Sequence, residues 1–115
     1  MDRRVHAVIS LMEDSLGREI SLAQLARSVN LSPWWLCHLF KTETGLSPLQ
    51  YLKALRMKHA KTLLETTFLT VKQIVNEVGL SDSSHFVRDF KSTYGSSPAT
   101  FRTDLTKKAR EEPTE

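Results

Sequence analysis

One stretch of this chain occurs twice. "SLAQLARSVNLS" at 21–32 and "TVKQIVNEVGLS" at 70–81 share a register in which Leu22/Val71, Gln24/Gln73, Leu25/Ile74, Val29/Val78, Leu31/Leu80 and Ser32/Ser81 coincide. A second pair follows, with "FKTETGLSPLQY" at 40–51 lying over "FKSTYGSSPATF" at 90–101. The first pair is 49 residues apart and the second 50, so the second copy carries one extra residue just after Ser81. A chain of 115 residues, about one domain long, must therefore build the same supersecondary unit twice. Each copy has a short amphipathic segment, a turn at Val29-Asn30-Leu31 or Val78-Gly79-Leu80, and a second helical segment, which is the helix-turn-helix plan.

Helix starts are legible because Ser or Thr recurs before each apolar-periodic segment, where a hydroxyl accepts from an orphan backbone N–H. The candidates are Ser21, Ser32, Ser47, Thr70, Ser81 and Ser97, with capping-box patterns at Ser21/Gln24 and Thr70/Gln73. Pro33, Pro48 and Pro98 stand at first helical positions, and Gly17, Gly45 and Gly95 at stops suited to left-handed residues. These signals predict an all-α fold of seven helices near 2–16, 22–29, 33–44, 48–65, 71–78, 82–94 and 98–104. Residues 1–105 then form one domain, with units at about 5–47 and 66–105 joined by a long linker helix at 48–65. "TKKAREEPTE" at 106–115 is expected to be a flexible charged tail. The expected core comprises Leu22, Leu25, Val29, Leu36, Phe40, Tyr51, Leu55, Leu63, Ile74, Val78, Phe86, Phe90 and Phe101.

The outward faces of the second helices carry the chemistry. At about 100° per residue, Leu36, Leu39 and Phe40 form one stripe, and Trp34, Cys37, His38 and Lys41 lie opposite it. Trp35 falls at the border, which predicts a packing residue beside an exposed Trp34. In the second copy the same wheel turns Ser84, Val87, Arg88 and Lys91 outward, next to Ser83 and with His85 at the border. Such faces suit a DNA major groove. Arg88 matches guanine O6 and N7 bidentately, Ser84 and His38 bond base edges or phosphates, and Trp34 and Val87 meet thymine methyl groups or sugars, with Ser83 a further DNA-binding candidate. Lys41 and Lys91 stand where phosphates would lie, and Cys37 completes the first face. A connector of 18 residues spans about 27 Å, of the order of the ~34–36 Å between successive major grooves on one side of a duplex.

Other functions find little support. Sixteen Lys and Arg against 13 Asp and Glu permit an acidic partner without demanding one. The single Cys37 excludes an internal disulfide and fits a reducing compartment. It also lacks the orienting carboxylate a nucleophile beside His38 would need, so no enzyme is expected. His6, His38, His59 and His85 lack metal-ligand spacing, and neither metal nor cofactor is expected. No apolar run reaches the roughly 18 residues of a membrane span. Arg56, Lys58 and Lys61 on the connector suit a solvated face better than a DNA tether, although Arg56 could brace the two units.

At "GLSDSSHFVRDFKSTYGSSPATFR", residues 79–102, the chain resembles the C-terminal DNA-binding domain of the AraC/XylS transcription regulators. The shared pattern is carried by Ser84, His85, Phe86, Arg88, Phe90, Lys91, Gly95, Ser97, Pro98, Phe101 and Arg102, and the resemblance covers about residues 5–102. It implies seven helices, two helix-turn-helix subdomains, a linker helix and binding to asymmetric double-stranded promoter DNA, usually in activation. The absence of a membrane span or signal segment reads as cytoplasmic, and RNA polymerase is an expected partner. In the first unit the family usually has Arg where His38 stands and often Ser at Cys37, and Val87 replaces a common Ser in the second. Family members often carry a ligand-binding or dimerising domain ahead of this one. A domain cut from such a longer, dimeric regulator, itself monomeric, is favoured over a stand-alone chain. The alternative function is a helical protein-interaction adaptor that binds no DNA.

Overall fold

The structure, a computed structural model, describes residues 1–80 and 82–111. Among the described residues it has seven α-helices and no strand: α1 (Arg3–Asp14), α2 (Leu22–Ser28), α3 (Pro33–Thr44), α4 (Pro48–Thr66), α5 (Val71–Glu77), α6 (Ser83–Tyr94) and α7 (Pro98–Glu111). The chain divides into two compact units, Met1–Arg56 and Met57–Glu115, so the linker helix α4 gives its first half to one unit and its second half to the other.

In the first unit α1 supplies Val5, Val8, Ile9 and Met12 at helical spacing, and these pack with Leu25, Ala26, Leu36, Phe40 and Leu52. The second unit replaces α1 with the later turns of α4. Met57, Ala60 and Leu64 meet Ile74, Val75, Val78, Phe86 and Phe90. Of the expected core, Leu22, Val29, Tyr51, Leu55, Leu63 and Phe101 pack against these clusters while staying partly exposed. The apolar stripe of α1 was absent from the expected core.

Local chemistry sets the helix ends. Ser21 and Thr70 form the expected capping boxes, and Ser47 with Gln50 forms a third, with bonds of 3.0 and 3.2 Å. Asp2 caps α1 by accepting from the Arg4 N–H at 2.7 Å. Gly45 and Gly95 are left-handed, with φ of 82° and 86°. Gly17 is not at the end of its helix: α1 stops at Asp14, and the Arg18 N–H closes the following turn on the Ser15 carbonyl at 2.9 Å.

Several boundaries differ by a residue or two, and two differ for a reason the sequence supplies. The α6 cap is Asp82, whose carboxylate accepts from the Ser84 and His85 N–H groups, rather than Ser81, which lies outside the described residues. The extra residue of the second copy shifts the cap by one and substitutes a stronger acceptor. Helix α7 runs to Glu111 and not to 104, so the expected tail starts too early. Its sequence explains the extension, because Lys107, Lys108 and Ala109 are good helix formers and Leu105 is half-buried. Residues 112–115 lie outside the described residues.

Candidate nucleic-acid interface

Each unit holds its second helix by the same devices. Helix α2 ends in a Schellman motif at Asn30, φ 57°, with the Asn30 N–H donating to the Arg27 carbonyl and the Leu31 N–H to that of Ala26. Helix α5 repeats the motif at Gly79, φ 82°, with the Gly79 N–H on the Asn76 carbonyl and the Leu80 N–H on that of Val75. The chain then enters α3 through Ser32, which accepts from the Trp35 N–H at 3.2 Å, and α6 through Asp82. Leu36 and Phe40 sink one face of α3 into the first core, and Phe86 and Phe90 do the same for α6. What remains outside is fixed by helical periodicity.

The exposed side chains on α3 include Trp34, Trp35, His38 and Lys41, with Cys37 half-buried at the flank. Trp34 is 66% and Trp35 55% exposed. The expectation that Trp35 packs at the edge of the core is therefore corrected. It stands at the third helical position, and its ring meets Trp34 and His38 on the surface instead of joining the residues packed on the first core. The rings gather on the surface. Trp34 stacks on His38 with centroids 5.3 Å apart and planes 5° apart, while Trp35 stands edge-on to Trp34 at 5.3 Å and to His38 at 6.0 Å.

On α6 the exposed side chains include Ser83, Ser84, His85, Val87, Arg88 and Lys91, mostly charged and polar where the start of α3 is aromatic. Asp82 works twice: one carboxylate oxygen caps the helix and the other lies 3.1 Å from His85 Nδ1. Its carboxyl is held below the usual range by the His85 and Ser84 backbone N–H groups and, less strongly, by the charges of His85 and Arg88. Sequence reasoning missed Asp82 and His85 as a pair, though the Asp-x-x-His spacing at a helix start signals it.

Two arginines hold the loops that lead into α2 and α5. Arg56 donates to the Leu16 and Arg18 carbonyls at 3.3 and 2.8 Å. Its bonds lie within the first unit, so it braces a loop there. Arg102 donates to the carbonyls of Leu64 at 3.3 Å, Thr67 at 3.1 Å, Leu63 at 3.5 Å and Leu69, gathering the end of α4. An arginine at a helix C-terminus satisfies orphan carbonyls and opposes the helix dipole.

The family model for a helix-turn-helix domain matches residues 25–104. The chain belongs to the helix-turn-helix family of AraC-type transcription regulators. It is 35% identical over 101 residues to the Msm operon regulatory protein of Streptococcus mutans, covering 88% of this chain and 36% of that protein. To the arabinose operon regulatory protein of Escherichia coli it is 35% identical over 112 residues, covering 96% of this chain and 38% of that protein. The chain thus spans less than two fifths of the length of these relatives. Among solved structures, an AraC-type regulator from Chromobacterium violaceum superimposes with a TM-score of 0.83 at 28% identity, covering 89% of this chain and 91% of the other. No helix among the described residues of this AraC-type domain is long and apolar enough to cross a membrane.

Proposed function

We propose that this AraC-type domain, a sequence-specific DNA-binding domain of a transcription regulator, places α3 and α6 in two successive major grooves of one asymmetric promoter site. The observation that carries the reading is that two complete reading helices stand on one chain, each core-anchored by two buried residues and each presenting the same repeat positions outward. On α6, Arg88 takes a guanine edge bidentately, Ser83 and Ser84 bond bases or phosphates, and Val87 meets a methyl group. On α3, Trp34 gives apolar contact, His38 a single donor or acceptor, and Cys37 lines the flank. Lys41 and Lys91, one turn further on, meet phosphates. The isolated domain binds as a monomer, works in the cytoplasm alongside RNA polymerase and carries out no reaction of its own. Membership of a regulator family favours this reading over a DNA-independent adaptor.

Selection from a random duplex library followed by footprinting tests it. The expected site covers about two helical turns without palindromic symmetry. Lys91→Ala should weaken all sequences alike and reduce the slope of log affinity against log salt by about one. Arg88→Ala should relax base preference in one half-site by about 1–3 kcal/mol. A footprint confined to one groove, or a palindrome requiring two chains, overturns the two-groove arrangement.

A further inference from the structure

Two indoles exposed side by side are costly to keep in water, since each aromatic ring brings a large apolar area. The scaffold does not require them, because the same two positions of the second unit are Ser84 and His85. Nor do they hang loose: Trp34 lies flat on His38, and Trp35 stands edge-on to both rings. We infer that Trp35 joins Trp34 on the reading face of α3, and that the two indoles, steadied by His38, read thymine C5-methyl groups on two neighbouring base pairs of the first half-site. This rests on the DNA-binding role of α3 given above.

The chemistry of the groove selects this ligand. The C5-methyl of thymine is the apolar feature among the donors and acceptors that the major groove presents. An indole offers one N–H donor and no acceptor, so a surface made of two indoles is poorly suited to the bidentate patterns of purines and well suited to methyl groups. Ring centroids 5.3 Å apart exceed the ~3.4 Å rise of one base step, a separation large enough for the two rings to meet neighbouring base pairs. Because the three rings already pack on one another, less side-chain freedom is lost on binding. The occupant is set by continuity with the proposed groove-facing residues of α3, on which both indoles stand.

Deoxyuridine in place of thymidine removes the methyl group and leaves base pairing intact, so it isolates this contact. With the selected duplex, replacing each thymidine of the first half-site in turn should weaken binding about four-fold at two neighbouring base pairs, the scale of one buried methyl group. Trp34→Ala should abolish the thymine-over-uracil preference at one of them and Trp35→Ala at the other, with both variants melting close to the parent. A first half-site lacking thymines on neighbouring base pairs, or preferences that survive Trp35→Ala, overturns the inference. In either case Arg88-dependent selectivity at the second half-site persists, which leaves the DNA-binding reading standing. Absence of any sequence-selective binding overturns both.

Discussion

The two units share a scaffold and differ in what they show to solvent. Capping boxes at Ser21 and Thr70, Schellman turns at Asn30 and Gly79, and left-handed glycines at Gly45 and Gly95 recur at equivalent positions. These devices satisfy backbone groups at helix ends, a requirement independent of the ligand. The outward faces have no such constraint and have diverged, one into an aromatic cluster and the other into a charged one. One difference crosses the divide between scaffold and surface. Both units tie down the loop before the first helix of their helix-turn-helix, α2 or α5, with an arginine, but Arg56 and Arg102 occupy repeat positions one helical turn apart. The same mechanical need has been met from two places on the following helix.

Core truncation should expose the largest asymmetry. Phe90 touches three aromatic rings, Phe86 at 5.7 Å, Tyr94 at 4.7 Å and Phe101 at 5.6 Å, whereas Phe40 has Tyr51 at 5.3 Å. Both are fully buried, so Phe40→Ala and Phe90→Ala should each cost about 3–5 kcal/mol. The Phe90 variant should lie higher, since aromatic pairs add roughly 0.5–1.5 kcal/mol each beyond burial. Denaturant unfolding of both variants measures the difference, and equal losses would mean that the extra rings contribute area alone.

The arginines come next. Arg102→Ala releases four carbonyls and Arg56→Ala two, so losses of about 2–3 and about 1–2 kcal/mol are expected. Burial lowers the Arg56 pKa from its ordinary value, yet a guanidinium stays charged through the working pH range. Lysine at 102 should rescue little, because a point ammonium cannot span carbonyls that a planar fork reaches together. Full rescue in a thermal melt would reduce Arg102 to a charge at the end of α4.

Helix order was legible because the needed signals are local: a hydroxyl before an apolar period, a proline at the first turn and a glycine at the stop all act within four residues. The arginine clasps join residues more than 30 apart; the sequence suggested Arg56 as a brace but not its partners, and Arg102 only as part of the motif match. Trp35 shows a subtler failure. The wheel placed its angle at the border of the core, but an angle omits how far along the axis the core extends, and Trp35 is 55% exposed with its ring against Trp34 and His38. The extension of α7 was missed for the converse reason: Leu105 and Ala109, four residues apart, continue an apolar side within a segment that reads as uniformly charged.

The smallest expected effect concerns the caps of the two reading helices. Ser32 caps α3 with a hydroxyl that does not titrate, whereas Asp82 caps α6 with a carboxylate. The folded Asp82 pKa is lowered, first by the His85 and Ser84 N–H groups, so its unfolded value lies above its folded one. Its contribution is therefore complete above the ordinary carboxylate pKa of about 3.9 and is lost as pH falls through the lowered folded value. Acidification should loosen the first turn of α6 while the first turn of α3 holds. Amide exchange or chemical shifts at Ser84, compared with Trp35, follow the two caps separately. Asp82→Ser, which gives α6 the α3 kind of cap, should remove the acid response at Ser84 and leave Trp35 unchanged. A parent chain in which both amides respond alike would mean that the acid transition is global and that the choice of cap does not set it.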